Sequence, residues 1–169
     1  TIAPTPGTEL KFQGQLGFTS LTIADSGSVR FESSTNSVGA LTLDAQTSMS
    51  GSSLVLTGIT VNHVGGTSII NNGLSMGAAV RTVTVSDPGA VLELKTGVSI
   101  PGPGTNRLIK VGAGTLKLAG LNLGLNKVAL GNYGVGGAPI DGGRLIITNP
   151  NSLGSTQMFF NVGTLEAIS

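Results

Sequence analysis

The chain reads as short bursts of apolar–x–apolar residues, each set off by small turn residues. The bursts are Leu21-Thr22-Ile23, Val29-Arg30-Phe31, Leu41-Thr42-Leu43, Leu54-Val55-Leu56, Val83-Thr84-Val85, Leu92-Glu93-Leu94, Leu116-Lys117-Leu118 and Leu145-Ile146-Ile147. The middle residue is often Thr, Lys, Arg or Glu, so the alternation has a period of two, with one face buried and the other wet. Each burst is too short for a helix. Gly27, Gly39, Gly51, Gly89, Gly114, Gly143 and Gly163 stand just ahead of such bursts. Glycine there permits the positive φ or the close backbone approach that a corner requires.

The bursts also recur in order. Gly143-Arg144-Leu145-Ile146-Ile147 and Gly163-Thr164-Leu165-Glu166-Ala167 are 20 positions apart, and Gly114-Thr115-Leu116-Lys117-Leu118 precedes them. A fixed-order repeat at this period indicates a solenoid: one coil cannot bury its apolar face alone, whereas stacked coils share a continuous core. At about 20–25 residues per coil the chain makes roughly seven or eight coils, a stack about 35 Å tall. The expected fold is therefore all-β, a parallel β-helix. A β-sandwich or jelly roll is the alternative, since it also spaces short strands regularly, and Asn72-Gly73 is a two-residue hairpin signal in its favour. Pro4 and Pro6 keep the first residues out of a central strand. The expected organisation is thus an N-terminal arm or cap over 1–14 and a solenoid over 15–169.

Composition fits this picture. Of 169 residues only 10% are charged and 4% aromatic, 27 are Gly, and there is no Cys or Trp. That leaves little material for amphipathic helices, and it excludes disulfides and thiolate metal sites. Net charge is +1, spread singly without a basic cluster, so nucleic acid is not an expected partner. Ala45 to Val80 carries no formal charge, but Ser, Thr, Asn and Gly interrupt it throughout, and no membrane span is expected. The start at Thr1, without Met, suggests a processed chain or an excised segment.

From Leu74 to Ser169 the chain resembles the autotransporter-associated β-strand repeat, also called the passenger-associated repeat. The resemblance is carried by Val111-Gly112-Ala113-Gly114-Thr115-Leu116-Lys117-Leu118-Ala119-Gly120 with Asn122, by Ile140 to Leu145, and by Asn149 through Leu153-Gly154. Leu74-Ser75-Met76-Gly77 and Arg81 to Val85 resemble the preceding coil. Leu121 to Ala138 departs from the pattern: Asn132-Tyr133-Gly134-Val135-Gly136-Gly137 replaces the family's shorter Tyr-Thr-Gly-Gly-Thr corner. The resemblance implies a right-handed parallel β-helix, export and display on a bacterial surface or secretion from it. It brings no catalytic residues with it.

Candidate chemistry is sparse. His63 is the only histidine, so neither a catalytic triad nor a His-rich metal site can be built, and a hydrogen-bonded or surface role is expected. Glu9, Asp25, Glu32, Asp44, Asp87, Glu93, Asp141 and Glu166 are not closely spaced, although stacking can align distant carboxylates. Gly136-Gly137-Ala138-Pro139-Ile140-Asp141 is similar to a calcium-binding nonapeptide but lacks a second copy, and it is read as a turn. Tyr133 is the one tyrosine, too little for a sugar-stacking platform. No catalytic, cofactor or metal residue is assigned, and no enzyme activity is expected. Thr, Asn and Ser are expected to form ladders between coils.

The chain stops just after a strand, Gly163 to Ile168, without a polar cap. Uncovered coil ends favour joining to another chain. The expected function is structural: an extracellular β-solenoid whose copies stack end to end as a filament on the bacterial surface. A segment of an autotransporter-like stalk or adhesin is the alternative, with surface glycans or other surface proteins as partners. A carbohydrate-binding or carbohydrate-cleaving β-helix is the third reading.

Overall fold

The computed structural model describes residues 1–100, 107–120, 127–133, 139–149 and 157–168. These residues form strands and connections without a helix. The chain winds as β1 (Glu9–Phe12) and β2 (Ser20–Ile23), then β3 (Gly27–Leu43) and β4 (Thr47–Val61). It continues through β5 (Gly66–Asn71), β6 (Leu74–Ser75), β7 (Arg81–Val85), β8 (Ala90–Leu94), β9 (Val98–Ser99) and β10 (Leu108–Val111). The last coils contain β11 (Thr115–Leu118), β12 (Lys127–Leu130), β13 (Asn132–Tyr133), β14 (Pro139–Ile140), β15 (Arg144–Ile147), β16 (Gln157–Phe160) and β17 (Thr164–Ala167). The long strands β3 and β4 each run along more than one side of the coil, and their mutual register shifts between Phe31 and Thr35 and again around Gly39.

Strands pair with their counterparts in the next coil, in parallel. The first ladder joins β1, the start of β3, the start of β4, β5, β8, β11, β15 and β17. The second joins the middles of β3 and β4 with β6 and β9. The third joins β2, the ends of β3 and β4, β7, β10, β12 and β16. This is a β-solenoid of about six turns, slightly fewer than the seven or eight expected. The shortfall has a plain cause: some steps match the expected one, as Ser28 pairing Ser48 and Arg144 pairing Thr164, but others are longer, with Thr115 pairing Arg144 and Lys127 pairing Gln157. The parallel pairing replaces the sandwich alternative. Asn72-Gly73 turns no hairpin, because β5 and β6 on either side both pair in parallel with β4. Among the described residues the antiparallel pair is β13 with β14, a small excursion between β12 and β15.

The period-two pattern becomes continuous inward ranks. Leu92, Leu116, Leu145 and Leu165 align on the first ladder, beside Val29, Met49, Ile70, Leu94, Leu118, Ile147 and Ala167. The third ladder contributes Leu21, Leu41, Ile59, Val83, Lys110, Leu130 and Phe160. Most of these side chains are fully buried, and each buried Leu or Ile contributes about 1.5–3 kcal/mol. Gly143 and Gly163, the glycines of the best-matched repeat, precede β15 and β17, whose Leu145 and Leu165 are register partners. The repeat visible in the sequence is therefore a true coil-to-coil step.

The N-terminal segment lies on the stack. The Ile2 amide donates to the Thr22 carbonyl at 2.8 Å, the Ala24 amide donates to the Ile2 carbonyl at 2.9 Å, and Pro4 is buried. Within 1–14, β1 is already a ladder strand, and its Phe12 ring stacks on Phe31 with centroids 5.3 Å apart. Charge is concentrated outward on or beside the first ladder, where Lys117 pairs Glu93 at 3.2 Å and Arg144 pairs Glu166. No helix among the described residues is long and apolar enough to cross a membrane.

Candidate functional site

His63 sits in the corner between β4 and β5 and is buried. Its Nδ1 is 2.8 Å from the Gly65 carbonyl oxygen, which can only accept, so Nδ1 carries the proton. Nε2, 2.8 Å from Ser68 Oγ, then accepts from that hydroxyl. Ser68 Oγ in turn accepts from the Thr47 amide at 3.1 Å. A serine hydroxyl on a histidine nitrogen is the start of a nucleophile–base pair. Here Ser68 is fully buried and Nδ1 faces a backbone carbonyl, so the pair as placed has no access to a substrate and closes a corner instead. Replacing His63 with Phe leaves the Gly65 carbonyl and the Ser68 hydroxyl without this partner. The expected cost is about 1–3 kcal/mol, read as a lower urea midpoint at unchanged m-value.

Among the described residues, no three His, Cys, Asp or Glu side chains come close enough to hold a metal ion. Stacking brings opposite charges together, as in Glu93 with Lys117 at 3.2 Å. Asp44 accepts from Asn62 at 2.9 Å; Asp87 accepts from the Gly65 and Gly89 amides, and Asp141 from the Gly143 amide. These three carboxylates are corner fittings. Of the calcium-like turn, Gly136 to Ala138 lie outside the described residues, as does Asn151 to Gly154 of the family-like corner. Of the expected Thr, Asn and Ser ladders, Thr22, Thr42, Thr60 and Thr84 align in register on the third ladder. Asn36 and Asn72 are buried singly: Asn36 accepts from the Leu16 amide, and Asn72 Nδ2 donates to the Ser52 carbonyl at 2.7 Å.

Lys110 was not singled out by sequence reasoning, yet it is the most unusual side chain of the core. It occupies an inward position of β10 between Val83 and Leu130, and it is fully buried. Its ammonium donates to the carbonyls of Val111 at 2.9 Å, Gly112 at 2.7 Å and Gly142 at 3.0 Å. Three donors meet three acceptors, so one cation ties the corner after β10 to the corner before β15. Burial pushes its pKa from 10.5 down to about 8, with the charge of Asp141 opposing that shift. The signal was present as parity: in Leu108-Ile109-Lys110-Val111, Lys110 falls on the same side as Leu108.

The two ends of the stack differ. On the last coil Phe159, Phe160, Leu165 and Ile168 are 42%, 53%, 39% and 46% exposed, although Leu165 and Phe160 continue inward ranks that are buried one coil earlier. At the opposite end, Leu10 and Phe12 of β1 are half-buried and Ile2 bridges to Ile23 over β2. The apolar edge of β16 and β17 is thus the largest concentration of uncovered core on the described surface. The chain matches no family model, and no curated protein and no solved structure aligns significantly with it.

Proposed function

We propose that this chain is a non-catalytic, extracellular structural β-solenoid whose copies stack end to end, β17 and β16 of one copy continuing the ladders of the next. The single observation that carries this reading is the exposed core at β16 and β17. One register accommodates it. Inside one copy Leu10 lines up with Ala167 through Val29 and Ile147; a two-residue shift between copies, with Leu165 of β17 opposite Leu10 of a second copy's β1 and Ala167 opposite Phe12, keeps apolar residues inward and avoids facing Glu166 with Glu9. The same register places Glu166 opposite Lys11 on the outward face, an opposite-charge cross-strand pair worth about 0.2–1 kcal/mol. Such a contact is heterologous and does not close, so it builds a filament. Glycans fit less well, because exposed aromatics on the described surface are confined to β16.

A second reading is favoured by the Gly112-Ala113-Gly114-Thr115-Leu116 corner and strand: the same edge continues into further coils of an autotransporter-like passenger. Charge reversal distinguishes the two. Glu166→Lys is expected to raise the concentration needed for assembly several-fold by sedimentation, and adding Lys11→Glu to restore it. Purified chain that stays monomeric at all accessible concentrations, with native circular dichroism, rejects self-stacking and favours the passenger reading.

A further inference from the structure

Stacking also gathers cations that the sequence keeps apart. Arg81 opens β7, Arg107 immediately precedes β10, and Lys127 opens β12. These three strands are consecutive on the third ladder. The Leu108–Val128 pair places Arg107 and Lys127 side by side one position earlier, on the outward side, because Leu108 and Val128 are buried in the core. Arg81 is adjacent: its amide donates to the Arg107 carbonyl at 2.9 Å. Its Nε donates to the Met76 carbonyl, which keeps the guanidinium at the corner before β7. Three half-buried cations thus lie together where the chain enters the third ladder in three successive coils.

Elsewhere the stack neutralises its charges. Lys11 pairs with Glu9, Arg30 with Glu32, Lys117 with Glu93 and Arg144 with Glu166. Asp44, Asp87 and Asp141 are engaged at other corners. Among the described residues no carboxylate forms an ion pair with Arg81, Arg107 or Lys127, and like charges on neighbouring strands repel. Arg107 adds an independent anomaly: its Nε is buried and has no hydrogen-bond partner. A buried donor on a charged group is costly to leave unmet. Neither Arg81 nor Lys127 relieves it, since both side chains only donate. The corner is therefore short of an acceptor and of negative charge at the same place.

We infer that this corner binds a divalent oxyanion, a sulfate or phosphate group, held by Arg107 and Lys127 with Arg81 adding to the field. A guanidinium donates to two oxygens of such a group at once, and an ammonium adds a point charge. Cations stacked about 4.8 Å apart favour a dianion with several acceptor oxygens over chloride. The Lys127 ammonium lies 5.7 Å from the centroid of the part-exposed Phe159 ring, on the outward face where a ligand reaches it from solvent. The site is on the side of the solenoid and is independent of stacking at the coil ends. Equilibrium dialysis against labelled sulfate, and separately labelled phosphate, in excess chloride tests it. Wild type is expected to bind at least one of the two saturably. Arg107→Gln is expected to weaken binding about tenfold, the loss of one charge-assisted bond, and Lys127→Gln several-fold. Lys95→Gln, a cation whose ladder neighbour is Ala119, is expected to leave binding unchanged. Circular dichroism verifies each fold, and Lys127→Gln carries the test if Arg107→Gln does not fold. Displacement of the label by dextran sulfate, but not by neutral dextran, extends the site to a group borne on a polymer; its absence restricts the site to the free ion. No saturable binding by wild type overturns the inference. So does binding unchanged in Arg107→Gln and Lys127→Gln, or an equal loss in Lys95→Gln, which reports net charge alone.

Discussion

Replacing Lys110 with Met is expected to destabilise the protein by about 2–4 kcal/mol at neutral pH, although Met is apolar and similar in length. The ammonium is the donor to the Val111, Gly112 and Gly142 carbonyls, and Met leaves all three without it, that of buried Gly142 in particular. Unsatisfied buried acceptors cost about 1–3 kcal/mol each before relaxation. The pH dependence has a defined sign. With a folded-state pKa of about 8 and an unfolded value of 10.5, the unfolded chain holds the proton between these limits and the folded chain does not. Stability from this group therefore rises as pH increases from about 8 to about 10.5, and below pH 8 the cost of burying the charge is fully present. Denaturant midpoints measured across that range should rise for wild type relative to Lys110→Met. A constant difference between the two proteins would contradict the buried ammonium.

Gly143→Ala is expected to cost about 2–5 kcal/mol, more than any other single-methyl addition discussed here. Gly143 has φ +58°, and an added Cβ would lie 2.4 Å from the carbonyl oxygens of both Gly112 and Gly114. Left-handed backbone strain of about 1–3 kcal/mol adds to overpacking of about 1–3 kcal/mol against rigid backbone. Gly65→Ala is the matched control. Its φ is +59°, but nothing lies within 4 Å of the added methyl, so only the left-handed strain of about 1–3 kcal/mol is expected, without the overpacking. Urea unfolding of the two variants separates close approach from φ. Equal losses would show that the coil-to-coil contact at Gly143 contributes nothing.

Much of the fold was legible because its period is short and its core is linear. Every apolar–x–apolar burst from Leu21-Thr22-Ile23 to Leu145-Ile146-Ile147 lies in a strand, and the 20-residue step from Gly143 to Gly163 is a register step. Strands with weaker alternation escaped notice. Leu108–Val111 and Lys127–Leu130 each hold consecutive buried residues, so their two faces are not separated by polarity. Glu9–Phe12 was overshadowed by the prolines before it. Asn72-Gly73 misled because a corner in a parallel coil uses the same residues as a hairpin, and only the partner strand distinguishes them. Buried polar residues were the hardest to foresee. Asn72 is bonded by the neighbouring coil, and Ser68 and Lys110 by both their own coil and the next; parity gives Lys110 its inward position, but the pattern along one coil does not contain the partners from the next. The threonine rank was visible residue by residue, but its alignment depends on unequal steps of 20, 18 and 24 positions from Thr22 to Thr84.

End-to-end stacking depends on one edge, the uncovered strands β16 and β17, and imaging the purified chain tests it most directly. Electron microscopy over increasing protein concentration is expected to show unbranched filaments one solenoid wide. Their length should grow with concentration, and a continuous strand spacing of about 4.8 Å should run along the axis. Monodisperse particles the size of a single chain, at every concentration, would contradict end-to-end stacking.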